Sequence, residues 1–166
     1  GESSVELVIP DAAGDGQIRR LPFGIGTLAT DTVRHVPPTP LELETAIEVV
    51  EPAIMALRLR LPAATVLVLD DAGLLHSGLP PDARHRDDVE RLFQRVAAVA
   101  LGRPAVREGL PADGRFVVAV LVLRELLHHL GVERVVPLAP HQADASQGRA
   151  NTVTAAGPEP LKNAET

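Results

Sequence analysis

Between Thr39 and Leu69 the apolar pattern changes period, and that change dictates a chain that alternates helix with strand. Thr39-Pro40-Leu41-Glu42 is a helix start: Thr39 suits the N-cap, Pro40 the first helical position, and Glu42 the reciprocal place of a capping box. Leu43, Ile47, Val50, Ile54, Leu57 and Leu61 then recur at helical spacing, which predicts a helix over 40–61, bent at Pro52 and stopped by Pro62. Thr65 to Leu69 follows as an unbroken apolar run, the pattern of a strand covered on both faces.

The flanking segments extend the alternation. Val5 to Ile9 is strand-like, Asp11 to Gly16 is a turn, and Ile18 to Leu28 resumes extended character with Gly24 and Gly26 as bends. These predict an antiparallel hairpin or meander. Asp87 to Leu101 reads as a helix with Val89, Leu92, Phe93, Val96 and Ala100 on one face. Arg115 to Leu130 reads as another, preceded by Gly114, stopped by Gly131 and apolar on most sides. Val132 to Leu138 closes the pattern as a short strand, expected parallel to 65–70. The fold class is therefore α/β, with a mixed sheet flanked by helices. One domain over 1–140 is expected, followed by a polar, disordered tail over 141–166.

Composition removes several function classes. The 166 residues are enough for one domain with a real core. A net charge of −6 without a basic stripe opposes nucleic-acid binding, and the absence of Trp and Tyr removes a base-stacking platform. Lack of cysteine excludes disulfides, thiolate catalysis and Cys-ligated zinc. No apolar run reaches the roughly 18 residues of a membrane span. No signal-peptide pattern opens the sequence, so the cytoplasm is the expected compartment. Among the histidines, no His-x-x-x-His or His–Glu pair is read as a metal-ligand spacing, and the adjacent His128 and His129 are not expected to face each other.

Three stretches, in order, resemble the exopolyphosphatase and guanosine pentaphosphate phosphohydrolase (Ppx/GppA) family. Gly1-Glu2-Ser3-Ser4-Val5-Glu6-Leu7-Val8 is similar to that family's Gly-Gly-Gly-Ser-Thr-Glu-Leu-Val phosphate loop. Leu21-Pro22-Phe23-Gly24-Ile25-Gly26-Thr27-Leu28, with the helix after Thr39, resembles its Leu-Pro-Leu-Gly segment and the helix that follows. Arg107-Glu108-Gly109-Leu110-Pro111-Ala112-Asp113-Gly114-Arg115 is similar to its Arg-x-x-Gly-Leu-x-x-x-Arg-Ala-Asp element, and Leu130 to Val135 continues the match. The resemblance covers roughly Gly1 to Leu138, about the second half of a family catalytic module. It implies a ribonuclease H-like half-domain of the actin-like ATPase superfamily and phosphoanhydride hydrolysis. Departures accompany it: Glu2 and Ser3 stand for two glycines, the second phosphate loop reads Leu69-Asp70-Asp71-Ala72-Gly73-Leu74, and Leu138 to Gln142 replaces the family's final signature.

What the resemblance implies for individual residues is specific. Glu6 takes the place of a carboxylate that holds metal or water, or else is a solvated strand residue opposite Val5 and Leu7. Gly1, Ser3, Ser4 and Gly73 fall in the phosphate loops. Arg107 and Arg115 contact phosphate, or are surface and packing arginines. Asp70 and Asp71 follow a strand at its carboxyl end, where α/β sheets bind ligands; they hold Mg²⁺ or another divalent cation, or they cap the next turn. The implied ligand is a polyphosphate or a guanosine pentaphosphate. Two functions stay open: one lobe of a hydrolase, inactive without its N-terminal lobe, or a silent relative that binds a nucleotide or a protein. The chain begins inside the family's first phosphate loop, so it is expected either to have been cut from a longer one or to carry Gly1 as a tag remnant. The sheet is therefore expected to be short of one element, with three outcomes open: pairing with another copy, a rearranged edge, or closure by Ile18 to Leu28.

Overall fold

The structure, a computed structural model, describes residues 4–9, 16–62, 64–69, 85–104, 108–137 and 151–156, the last segment as backbone. In chain order the elements are β1 (Val5–Ile9), β2 (Gln17–Leu21), α1 (Ile25–Thr32), α2 (Pro40–Met55), β3 (Val66–Leu69), α3 (Arg86–Ala100), α4 (Gly114–His129), β4 (Arg134–Pro137) and β5 (Asn151–Ala156). The strands form one sheet in the order β2-β1-β5-β3-β4. β1 pairs antiparallel with β2 and parallel with β5; β3 pairs antiparallel with β5 and parallel with β4. The expected mixed sheet, the N-terminal antiparallel pair and the parallel relation of the two later strands are all present.

The helices form where their ends are chemically specified. In α2 the Glu42 amide donates to Thr39 Oγ1 at 3.3 Å and the Thr39 amide donates to Glu42 Oε2 at 2.8 Å, a complete capping box. The helix stops at Met55, short of the expected 61. Its last turn tightens, with Leu57 N donating to Ile54 O and Arg58 N to Met55 O, and Arg58 then takes φ 48°, which no helix continues through. In α4 the Arg115 amide donates to Asp113 Oδ1 at 2.8 Å. At its other end Gly131 has φ 64°, while its amide reaches His128 O and the Val132 amide reaches Leu127 O, the paired bonds of a Schellman stop. Phe116 through Leu123, together with Leu126 and Leu127, are all buried, so α4 is the central helix and packs against α1, α2 and α3. Its neighbours bring Leu43, Val50 and Ile54 from α2, and Val89, Leu92 and Val96 from α3, into the same core.

Two expectations are corrected. Ile18 to Leu28 is not one extended segment: β2 ends at Leu21 and α1 begins at Ile25. Ile25, Leu28, Ala29 and Thr32 are buried at helical spacing, and the Gly24 amide donates to Thr27 Oγ1 at 3.0 Å, so Gly24 opens a helix rather than bending a strand. Asn151–Ala156, inside the segment expected to be a disordered tail, form β5 in the middle of the sheet. The position between β1 and β3 is filled by this segment, not by Ile18 to Leu28. β3 also differs in degree: Leu67 is fully buried while Val66, Val68 and Leu69 are half-buried, so only one face of the strand is sealed.

Candidate functional site

Strand directions gather several chain ends at one end of the sheet. Val5, which opens β1, is in register with Leu21, which closes β2, and with Asn151, which opens β5. β3 runs opposite to β1, and its last residue, Leu69, lies in the row of Val153 and Leu7. The final residue of β4, Pro137, pairs with Leu69. Thus β2, β3 and β4 all finish toward the end at which β1 begins, the carboxyl-end arrangement at which α/β sheets hold ligands. The Val5 amide donates to Phe23 O at 3.0 Å, which ties the start of β1 to the Leu21–Gly24 segment.

Ser4 and Glu6 are the predicted site residues that this end holds. Ser4 is half-buried, immediately before β1. Glu6 points to the half-exposed face, alternating with the buried Val5 and Leu7. Its carboxylate is engaged: Arg20, directly opposite on β2, donates through Nε to Glu6 Oε1 at 2.6 Å. Arg20 is 69% exposed and Glu6 only 16%, so the guanidinium covers the carboxylate from the solvent side. Any cation at Glu6 therefore competes with a charge-assisted bond already made. Arg115 is exposed in the first turn of α4. That helix hands over to β4 through Leu130–Glu133, and Arg115 stands about 21 Å along the axis from the helix's last residue, His129. Gly1, Ser3, Asp70, Asp71, Gly73 and Arg107 lie outside the described residues. Within the described residues no group of three His, Cys, Asp or Glu side chains is placed to hold a metal ion.

The most concentrated ionic cluster was not anticipated. Glu125 is 3% exposed on α4, and Arg124 and His129 both contact its carboxylate, with His129 Nε2 3.1 Å from Glu125 Oε2. Arg124 Nε also donates to Glu90 Oε2 at 2.8 Å, and its guanidinium lies 4.6 Å from the Phe93 ring centroid. His129 reaches Glu51 Oε1 at 3.8 Å. The network joins α2, α3 and α4. Glu125 and His129 stand four apart on one helix face, so the signal was present in the sequence as a Glu-x-x-x-His pair. The rings of His128 and His129 also meet edge-on, with centroids 4.9 Å apart, contrary to expectation. Paired charges inside a helix layer tie elements together, and this cluster lies among packed helices rather than at a sheet end.

A second network surrounds Glu42, which accepts from the amides of Arg34, His35 and Thr39. The Thr39 amide first, then His35 and Arg34, holds this carboxyl down to about 2, against the opposing effect of burial. The cavity beside it is different in kind. About 60 Å³ in volume, it is lined by apolar residues including Val36, Pro38, Val96, Leu110 and Phe116, so it offers nothing to a phosphate.

No protein-family model matches the chain, and no curated protein matches it in sequence. Solved structures do match. The crystal structure of the type II variant of the Aquifex aeolicus Ppx/GppA phosphatase is 14% identical and aligns with a TM-score of 0.53 over 82% of this chain and 53% of that one. A structural study of the Aquifex aeolicus PPX-GPPA enzyme and another crystal structure of the Aquifex aeolicus family member are each 13% identical, with TM-scores of 0.49 and 0.48. The chain spans about half the length of the structures it matches. What it shares with the phosphatase is the fold: an α/β half-domain of the actin-like ATPase architecture, as the sequence resemblance implied. No helix among the described residues is long and apolar enough to cross a membrane.

Proposed function

We propose that this chain is the second lobe of a Ppx/GppA-type phosphatase module, built to face a polyphosphate or guanosine pentaphosphate but inactive by itself. One observation carries the reading: the fold of half an Aquifex aeolicus Ppx/GppA phosphatase is aligned over 82% of this chain, which also holds three family-like segments in the family's order. Phosphoanhydride hydrolysis needs backbone amides around the transferring phosphate, a divalent cation and a group that orients water. In this lobe the start of β1 supplies Ser4 as a hydroxyl donor, and Glu6 is the carboxylate for metal or water. Asp70 and Asp71, beyond the end of β3, are the residues that would hold Mg²⁺. The cation would offset phosphate charge and polarise the attacked phosphorus.

The second reading, a silent relative that binds a nucleotide or a protein, is favoured by the Arg20–Glu6 bond. A carboxylate already bonded to a guanidinium at 2.6 Å must give up that bond before it can bind a metal. Phosphate release from long-chain polyphosphate and from guanosine pentaphosphate, with Mg²⁺, Mn²⁺ or Ca²⁺, tests both. The isolated chain is expected to give no release above its Glu6→Ala variant. Metal-dependent turnover that Glu6→Ala abolishes would overturn the claim of inactivity. Metal-dependent retention of tripolyphosphate without turnover, lost in Asp70→Ala, would favour the incomplete lobe over the silent relative.

A further inference from the structure

A cation that the sequence did not single out borders the start of β1. Arg20 is the residue before the last of β2 and pairs directly with Glu6, and Ser4 immediately precedes β1, so all three border the same end of the sheet. Strand alternation fixes the direction of each side chain. Val5, Leu7 and Leu21 turn into the core shared with the helices, so Glu6 and Arg20 project from the opposite face of the hairpin. Arg19 is in register with Leu7 and belongs to the helix side, where it donates to Gln17 Oε1 at 3.2 Å. Neighbouring arginines of equal charge are thus presented to opposite sides of one strand.

Geometry separates Arg20 from an ordinary cross-strand ion pair, which contributes little when both partners are exposed. Here the partners are layered: the Glu6 side chain is 16% exposed and the guanidinium above it 69%, so an anion arriving from solvent meets the cation first. The Nε–H is the donor that Glu6 Oε1 takes, at 2.6 Å. That leaves Nη1 and Nη2, which form no bond within the described residues, as the donors through which a guanidinium pairs with phosphate oxygens. The bond to Glu6 also restricts a long side chain before any ligand arrives, which lowers the entropic cost of binding one.

We propose, resting on the reading that this end of the sheet faces a phosphate, that Arg20 is a phosphate-contacting residue and that Glu6 is the residue that positions it. Ser4 and Glu6 bring a hydroxyl and a negative charge to this end, and neither offsets the charge of a phosphate; Arg20 does. The ligand class is an oligophosphate, one of whose phosphate groups bonds to Nη1 and Nη2 while the Nε–H stays with Glu6. Glu6 then reaches the ligand through Arg20, which sets it apart from the metal-holding role that the family resemblance implies.

Tripolyphosphate titrated into the full chain at low salt, without and with Mg²⁺, tests this by calorimetry and by the Arg20 Nε–H resonance. Saturable binding that shifts this resonance is expected. Arg20→Ala should weaken binding at least roughly tenfold, and Arg20→Lys, which keeps the charge without the planar fork, at least roughly threefold. Arg19→Ala removes the same charge from the other face and should change binding by less than roughly twofold. Equal losses from Arg19→Ala and Arg20→Ala would mean that net charge alone attracts the anion, and would overturn the proposal. Glu6→Ala decides the positioning role by its sign. On charge alone, removing a carboxylate beside an anion tightens binding; loss of the anchor should instead weaken it at least roughly threefold in metal-free buffer. Glu6→Gln, which retains an acceptor for the Nε–H, should recover most of that loss. Tighter binding by Glu6→Ala would overturn the role given to Glu6. No binding by the wild-type chain under either condition would remove the phosphate reading and this proposal together. Wild-type binding that Arg20→Ala leaves intact would remove the proposal alone.

Discussion

Replacing Glu42 tests whether a single carboxylate organises the turn between α1 and α2. Its two oxygens accept from Arg34 N at 2.8 Å, His35 N at 3.2 Å, Thr39 N at 2.8 Å and Thr39 Oγ1 at 3.0 Å, and the His35 ring approaches at 2.9 Å. Those bonds hold the carboxyl at about 2 against an ordinary value of 4.5, and at about 1.36 kcal/mol per unit that gap bounds the linked stability at about 3 kcal/mol. Water at the exposed Arg34 and His35 amides replaces part of this, which lowers the expected cost of Glu42→Ala to about 2 kcal/mol. Glu42→Gln keeps the shape and loses the charge, and about 1 kcal/mol is expected. The sign with pH follows from the depressed value. The stabilisation is fully present above pH 4.5 and is lost as pH falls toward about 2. At pH 3 less than half of the gap between wild type and Glu42→Gln should remain. Without Trp or Tyr to report unfolding, urea titrations followed by far-ultraviolet circular dichroism are the assay. A gap between wild type and Glu42→Gln that stays constant from pH 7 to pH 3, or a Glu42→Ala cost below about 0.5 kcal/mol, would refute the account.

Other substitutions separate structural from functional weight. Glu6→Ala and Arg20→Ala should each cost less than about 1 kcal/mol in urea, because Arg20 is 69% exposed; a larger loss would mean the pair holds the hairpin together. Gly131→Ala should cost about 1 kcal/mol through backbone strain alone, since φ is 64° and a Cβ there meets nothing within 4 Å; a neutral result in the same titration would contradict the Schellman assignment. Glu125→Ala should cost about 2 kcal/mol by removing the buried carboxylate that Arg124 and His129 share, with Arg124 keeping Glu90 and His129 keeping Glu51, and a thermal midpoint unchanged from wild type would show that the cluster carries no weight.

The sequence made legible whatever short-range chemistry specifies. The Thr39–Glu42 box, the Gly131 stop and the all-round apolar α4 each announce themselves within one or two helical turns. The strand pairing 65–70 with 133–138 followed from the crossover rule. Where reading failed, tertiary context decided. Gly24 and Gly26 read as bends because two glycines in an apolar stretch obscure the helical spacing of Ile25, Leu28, Ala29 and Thr32. Asn151–Ala156 read as disordered because neither its polarity nor its small residues promise a core strand, and its partners lie on β1 and β3, far away in sequence. At the site, Glu6 was visible as a carboxylate on a strand. Its clamp by Arg20 was not, because that depends on the hairpin register.

Register also links β5 to the sheet end where the candidate site lies. Asn151, the first residue of β5, is opposite Val5, next to Ser4, and the end of β3 lies one strand further over. β5 therefore borders both the start of β1 and the end of β3. A tightly paired strand holds these two segments at a fixed separation of two strand spacings, about 9.5 Å.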